Sequence, residues 1–229
     1  NYSISSFVGN SLTTTATNTY SGNGGVHQVF YGVGWEPLRG LSIGANISYL
    51  WGDYQRSLVN AYSDSYANTL SKYYTGNVRS YKLDVGVQYT AKLSKKNSLT
   101  LGATYSPGHK IGCDPECQVI STNTEEGVSD TTKFVLADAL SIPDMYAVGL
   151  TFNHNNQWKV GVDYSLQKWA SVQFPVFNVV NEVPQYALQD VLKDRHKITV
   201  GGEYCRDENG RSFLKRMRYR AGFSYATPY

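Results

Sequence analysis

At 229 residues the chain is long enough for one domain, and only 17% of it is charged while 14% is aromatic, with 19 Tyr and 21 Gly. A net charge of +3, with Lys and Arg spread along the chain, argues against nucleic acid as a partner. No stretch approaches the about 18 consecutive apolar residues of a membrane helix, which excludes helical spans but not a β-barrel, whose strands are only half apolar.

In chain order, Tyr2 to Val8 is strand-like and Leu12 to Gly25 reads as a Thr/Asn/Ser/Gly-rich loop. Residues 26–35 and 41–56 then predict a hairpin. In its second strand Leu41, Ile43, Ala45, Ile47, Tyr49 and Trp51 share one face, with Ser42, Gly44, Asn46 and Ser48 on the other. Ser57 to Asn77 reads as a long Tyr-studded loop. Strand 78–92 alternates in the same way, with Lys82 and Asp84 on its polar face, and a tight turn leads to a fourth strand through Leu99 and Tyr105. Gly112 to Thr131 is a second long loop. Within it Cys113 and Cys117 have a spacing that could close a small disulfide in an oxidising compartment, or could leave two free loop thiols.

Phe134 to Leu140 is extended, and Pro143 separates it from a strand near 144–153, so the two read as one long strand with a kink or bulge. Asn155 and Asn156 then turn into a sixth strand carrying Lys159 and Asp163, and Ser171 to Val191 is a third long loop. The seventh strand places Lys197 and Glu203 on its polar face, and the eighth places Arg216, Arg218 and Arg220 there. Short turns thus alternate with long loops, strands run to 10 residues or more, and aromatics such as Trp35, Trp51, Tyr89, Trp158 and Trp169 sit at strand ends. Together these predict an all-β fold, an antiparallel transmembrane β-barrel of outer-membrane type, with about eight or nine strands present.

The pieces resemble the FadL/OmpP1 (TodX-type) outer-membrane proteins, in their Bacteroidetes-like form. The resemblance rests on Gly24-Gly25-Val26 through Tyr49-Leu50-Trp51-Gly52, on Ile142-Pro143 before Val148-Gly149-Leu150, and on Trp158-Lys159-Val160-Gly161-Val162-Asp163-Tyr164. Asp194-Arg195-His196-Lys197-Ile198 and Tyr219-Arg220-Ala221-Gly222-Phe223 complete it. It implies a fourteen-stranded barrel, of which residues 1–229 would be a single domain portion lacking the N-terminal plug segment and the last strands. A closed eight-stranded barrel filled by side chains is the alternative. The resemblance implies an outer-membrane location in a Gram-negative cell, embedded in lipid, and passive uptake of small hydrophobic or amphipathic compounds. The rival reading is a non-transporting barrel that acts as a scaffold or accessory subunit in a secretion, assembly or uptake complex with protein partners.

Lys82, Asp84, Lys159, Asp163, Glu203, Arg216, Arg218 and Arg220 are the lumen-facing candidates, either selecting solutes or merely filling and holding the barrel. Pro143 is the candidate for a lateral opening, with a plain rim bulge as the alternative. The four His residues are scattered and no nucleophile elbow, metal motif or phosphate loop appears, so the expectation is no enzyme, no cofactor and no metal.

Overall fold

The computed structural model describes residues 7–8, 14–64, 66–123, 125–180, 183–206 and 213–228. Its strands are β1 (Phe7–Val8), β2 (Thr14–Leu38), β3 (Leu41–Tyr62), β4 (Thr69–Lys92), β5 (Asn97–Ser106), β6 (His109–Lys110), β7 (Glu116–Asn123) and β8 (Val128–Val135). There follow β9 (Ser141–Ile142), β10 (Met145–His154), β11 (Trp158–Gln167), β12 (Phe174–Val180), β13 (Val183–Gln189), β14 (Arg195–Cys205) and β15 (Arg218–Ala226), with a one-turn helix α1 (Phe213–Arg216) before β15.

Eight strands form one curled antiparallel sheet in the order β2-β3-β4-β5-β10-β11-β14-β15, and two-residue β1 pairs with the outer side of β2. Among the described residues no ladder joins β2 to β15, so the sheet is an open trough and not the closed eight-stranded barrel. The short connections share one rim: Arg39 and Gly40, residues 93–96, and residues 155–157. At the last of these Asn155 and Asn156 both adopt positive φ (51° and 56°), a conformation asparagine tolerates and tight hairpins require.

The opposite rim differs from the sequence reading. Much of what reads as loop is strand. β2, β3 and β4 run 25, 22 and 24 residues, against 10 each for β5, β10 and β11, so the first three project well beyond the wall. β4 changes neighbour along its length: Val85–Lys92 pair with β5, whereas Thr69–Thr75 pair with β7. The β7–β8 hairpin extends this upper sheet, and the β12–β13 hairpin packs on it. The segment before Pro143 is not one long kinked strand either. β8 ends at Val135, and Ser141–Ile142 form a separate short pairing with His109–Lys110.

Burial follows the same division. Along the wall Ile47, Tyr49, Val87, Leu101, Val148, Leu150, Val160, Val200 and Phe223 are all exposed, forming a continuous apolar outer face. Such a belt would be untenable in water and is the surface a bilayer covers. Buried apolar residues concentrate instead at the loop rim: Val78, Ile111, Cys113, Cys117, Ala139, Val172 and Tyr186, with Pro115 and Pro143 fully enclosed. The protein core is a cap standing above the wall.

Candidate functional site

The pleat assigns each wall residue a side. Ser48 is 2% exposed while its neighbour Tyr49 is 49% exposed, because the first points into the trough and the second away from it. On the inner side a cavity of about 650 Å³ is lined by Ser42, Gly44, Asn46, Asp84, Asp163 and Lys197 among others. Asp84 is the hub of its upper end, accepting hydrogen bonds from the Lys82 ammonium and the Ser106 hydroxyl. Asp163 lies across Gly149 of the neighbouring strand, and Asn46 lies across Gly32 in the same way. Glycines opposite these side chains let polar groups lie flat on the wall.

A second cavity of about 440 Å³ is lined by Lys159, Glu203 and Arg220 with glycines of β11, β14 and β15. The three charged residues stand at one level, since Glu203 is the register partner of both Lys159 and Arg220. The Glu203 carboxylate accepts from Arg220 Nε at 2.5 Å and from Arg218 at 3.1 Å. Seven of the eight candidates therefore gather in two groups, Lys82, Asp84 and Asp163 in one and Lys159, Glu203, Arg218 and Arg220 in the other. Arg216 joins neither. It ends helix α1 and so is not the first residue of the strand's polar row; its carbonyl accepts a long contact (3.9 Å) from the Cys205 thiol.

Pro143 is closely packed at the loop rim. The ring is fully buried, and Gly108 packs so closely against Ile142, Pro143 and Asp144 that a Cβ there would clash with their backbone. Asp144 clamps the junction, accepting from the Gly108 N–H and the Tyr105 hydroxyl, each at 2.9 Å. These bonds, the Gly108 N–H foremost, hold its carboxyl below the usual carboxylate range. A depressed folded value means the clamp's contribution is complete above the ordinary carboxyl pKa of about 3.9 and is lost as pH falls through the lower folded value. We expect Asp144→Ala to speed hydrogen exchange at residues 107–111 at neutral pH, with Asp144→Asn keeping much of the protection. Wild-type protein should show the same opening only in strong acid. Unchanged exchange in the Ala variant would remove Asp144 from this role.

The cap holds what the sequence reading overlooked. Tyr54 packs against the cluster of Val78, Ile111 and Cys113. Tyr74 meets Tyr186 at 6.4 Å between ring centroids, Phe134 meets Phe177 edge-on at 5.8 Å, and the Lys72 ammonium stands 4.5 Å over the Phe177 ring. Burial pushes the Tyr54 and Tyr74 hydroxyls up to about 12. The available signal was only a density of tyrosine, at Tyr54, Tyr62, Tyr66, Tyr73 and Tyr74, without the regular alternation that marks the wall strands.

Cys113 and Cys117 are buried and free, so the bridge their spacing could close does not form. Packing separates them. Cys113 enters the Val78 cluster, whereas Cys117 stands on β7 opposite Tyr74, whose side chain it contacts. Burial raises both thiols above their usual range. His109 bonds Ser80 at 3.0 Å and stacks on Tyr81, whose ring centroid is 4.3 Å away.

With the geometry in view, a family model described as BamG matches residues 1–229. The chain belongs to the BamG family. No curated protein matches it. Among solved structures, this BamG-family chain is similar to a deltaS2S3 mutant of the monoaromatic hydrocarbon channel TodX (TM-score 0.65, 14% identity, 94% of this chain and 64% of that one). It is also similar to the P. putida toluene transporter TodX (0.64, 14%, 93% and 63%) and the Ralstonia pickettii toluene transporter TbuX (0.62, 15%, 95% and 59%). At these identities the likeness is one of fold, an outer-membrane β-barrel, and the chain spans about three fifths of each channel. The resemblance to FadL-type proteins thus holds for architecture, while the family model that matches is BamG.

Proposed function

We propose that this BamG-family protein is an outer-membrane barrel that serves as an accessory subunit of a larger outer-membrane complex. Residues 1–229 would be one part of a wider barrel, of about fourteen strands, in a Gram-negative cell of Bacteroidetes type. The carrying observation is the inner wall. Lys82–Asp84–Ser106 and the Glu203–Arg218–Arg220 set put two groups of paired charges on the inner wall, beside the small apolar lining of Ala45, Ala103 and Ala147, and a passing hydrocarbon would strip water from those charges without pairing them. The family match along the whole chain agrees, whereas likeness to the hydrocarbon channels lies in the fold alone. In this reading the charges brace the barrel, the short turns face the periplasm and the cap faces outside.

The 650 Å³ cavity favours a second reading, passive uptake of small hydrophobic or amphipathic compounds, in which Lys159 and Arg220 at the separate 440 Å³ cavity, with Arg218 beside them, would favour an acidic head group. Two measurements on the full-length protein separate the readings. Mild-detergent isolation from its own membranes should yield a stoichiometric complex that survives gel filtration. Reconstituted liposomes should take up neither monoaromatic compounds nor fatty acids faster than empty ones. A lone barrel with clear flux would overturn the accessory role.

A further inference from the structure

We propose that the outer edge of β8 (Val128–Val135) is a docking edge that pairs with an extended segment of a partner protein at the loop rim. This rests on the accessory reading above. Among the described residues β8 pairs only with β7, leaving a row of backbone donors and acceptors along its other side. The strand lies in the cap and outside the wall, so lipid does not cover it.

Proteins usually blunt such edges with proline, bulges or free charges, because an unguarded strand templates pairing with another chain. This molecule guards elsewhere. Each strand of the two-stranded β12–β13 sheet carries a proline, Pro175 and Pro184, which cannot donate to an added ladder. β8 has the sequence VSDTTKFV, with no proline or glycine, and pairs with β7 without a bulge through all eight residues. Lys133, one of its two charged residues, is drawn back toward the sheet by Glu116 on β7 at 2.9 Å.

The surroundings define the occupant. Phe134 sits under Phe177 of β12, so the β12–β13 hairpin overlies one face of the β7–β8 sheet. Val179, two residues along β12 and on the same face as Phe177, is 61% exposed in the water-facing cap. A strand added beside β8 would have one row of side chains beside Val128 and Phe134, with Asp130 and Thr132 between them, and the other row beside Ser129, Thr131 and Lys133. The fitting partner is thus an extended segment with apolar residues at alternate positions and polar ones between them, recognised by strand addition.

Amide hydrogen exchange on the full-length protein tests this, comparing the natively isolated complex with the barrel stripped of partners. Alternate β8 amides, those pointing away from β7, should slow by about tenfold or more in the complex, with amides of β12 and β13 unchanged. An intact complex with unchanged β8 exchange sinks the docking edge and leaves the accessory role standing. Slow β8 amides already present in the stripped barrel mean that the protein's own chain covers the edge, which also overturns the proposal. Failure to isolate any complex removes both readings together.

Discussion

Replacing Gly52 or Gly24 with valine should largely abolish folded protein in the membrane. The backbones of β2 and β3 cross tightly where the wall meets the cap: a Cβ at Gly52 would collide with the Gly25 carbonyl, and one at Gly24 with the Asp53 carbonyl. Gly24 also has φ of 126°, which side chains rarely adopt. Neither obstacle is a side chain that can turn aside. Main-chain strain of this kind costs about 1–3 kcal/mol, and separating the strands would break ladder bonds on both sides besides. The readout is the heat-modifiable folded band in outer-membrane fractions. Gly34→Ala, where a Cβ meets nothing within 4 Å, is the matched control and should leave the band intact. A normal folded fraction for Gly52→Val would show that the crossing can spread at small cost.

Tyr186→Ala should detach the β12–β13 hairpin while leaving the wall folded. Tyr186 is 8% exposed and is the hairpin's buried anchor, reaching Tyr74 across the cap. Truncating a buried aromatic costs about 3–5 kcal/mol, and of the hairpin's other described residues only Pro175 is buried, Phe177 being part-exposed under Lys72. Limited proteolysis of membrane-embedded protein should cut within residues 172–191 at least tenfold faster, with the folded band retained. Tyr186→Phe keeps the ring and should behave as wild type: burial foremost, then nearby tyrosines and thiols, pushes this hydroxyl far above its ordinary value, so the variant removes no charge at neutral pH. Equal cleavage of the Ala variant would mean that the aromatic contact is not what holds the hairpin.

The wall was legible in the sequence because lipid on one side and a polar trough on the other impose strict alternation. Ile43/Gly44, Val87/Gln88 and Val162/Asp163 each declare their side. The cap was not legible, because it obeys another rule. In β2 above Val26, β3 beyond Gly52 and β4 before Val78, water reaches much of both faces, so Thr, Asn, Ser and Tyr alternate with nothing and resemble loop. Alternation alone put the charged candidates on one face of each strand, but their sorting into two groups depends on register between strands, as in Lys159↔Glu203↔Arg220. Arg216 was misplaced because arginine at alternate positions continues past the point where the strand gives way to α1. The cysteines misled through spacing: four residues apart in sequence, they were claimed by different neighbours in space.

The β12–β13 hairpin leaves the wall after β11 and returns at β14, yet it is moored to β4, β7 and β8 through Tyr186 and Phe177. β4 and β11 are three places apart in the sheet. A tether across that arc acts like a bowstring: it fixes the distance between β4 and β11 at the loop rim and with it the bend of the sheet between them. The curvature of the membrane wall is then set partly by aromatic contacts that never enter the membrane, and cutting the string at Tyr186 should let the arc relax.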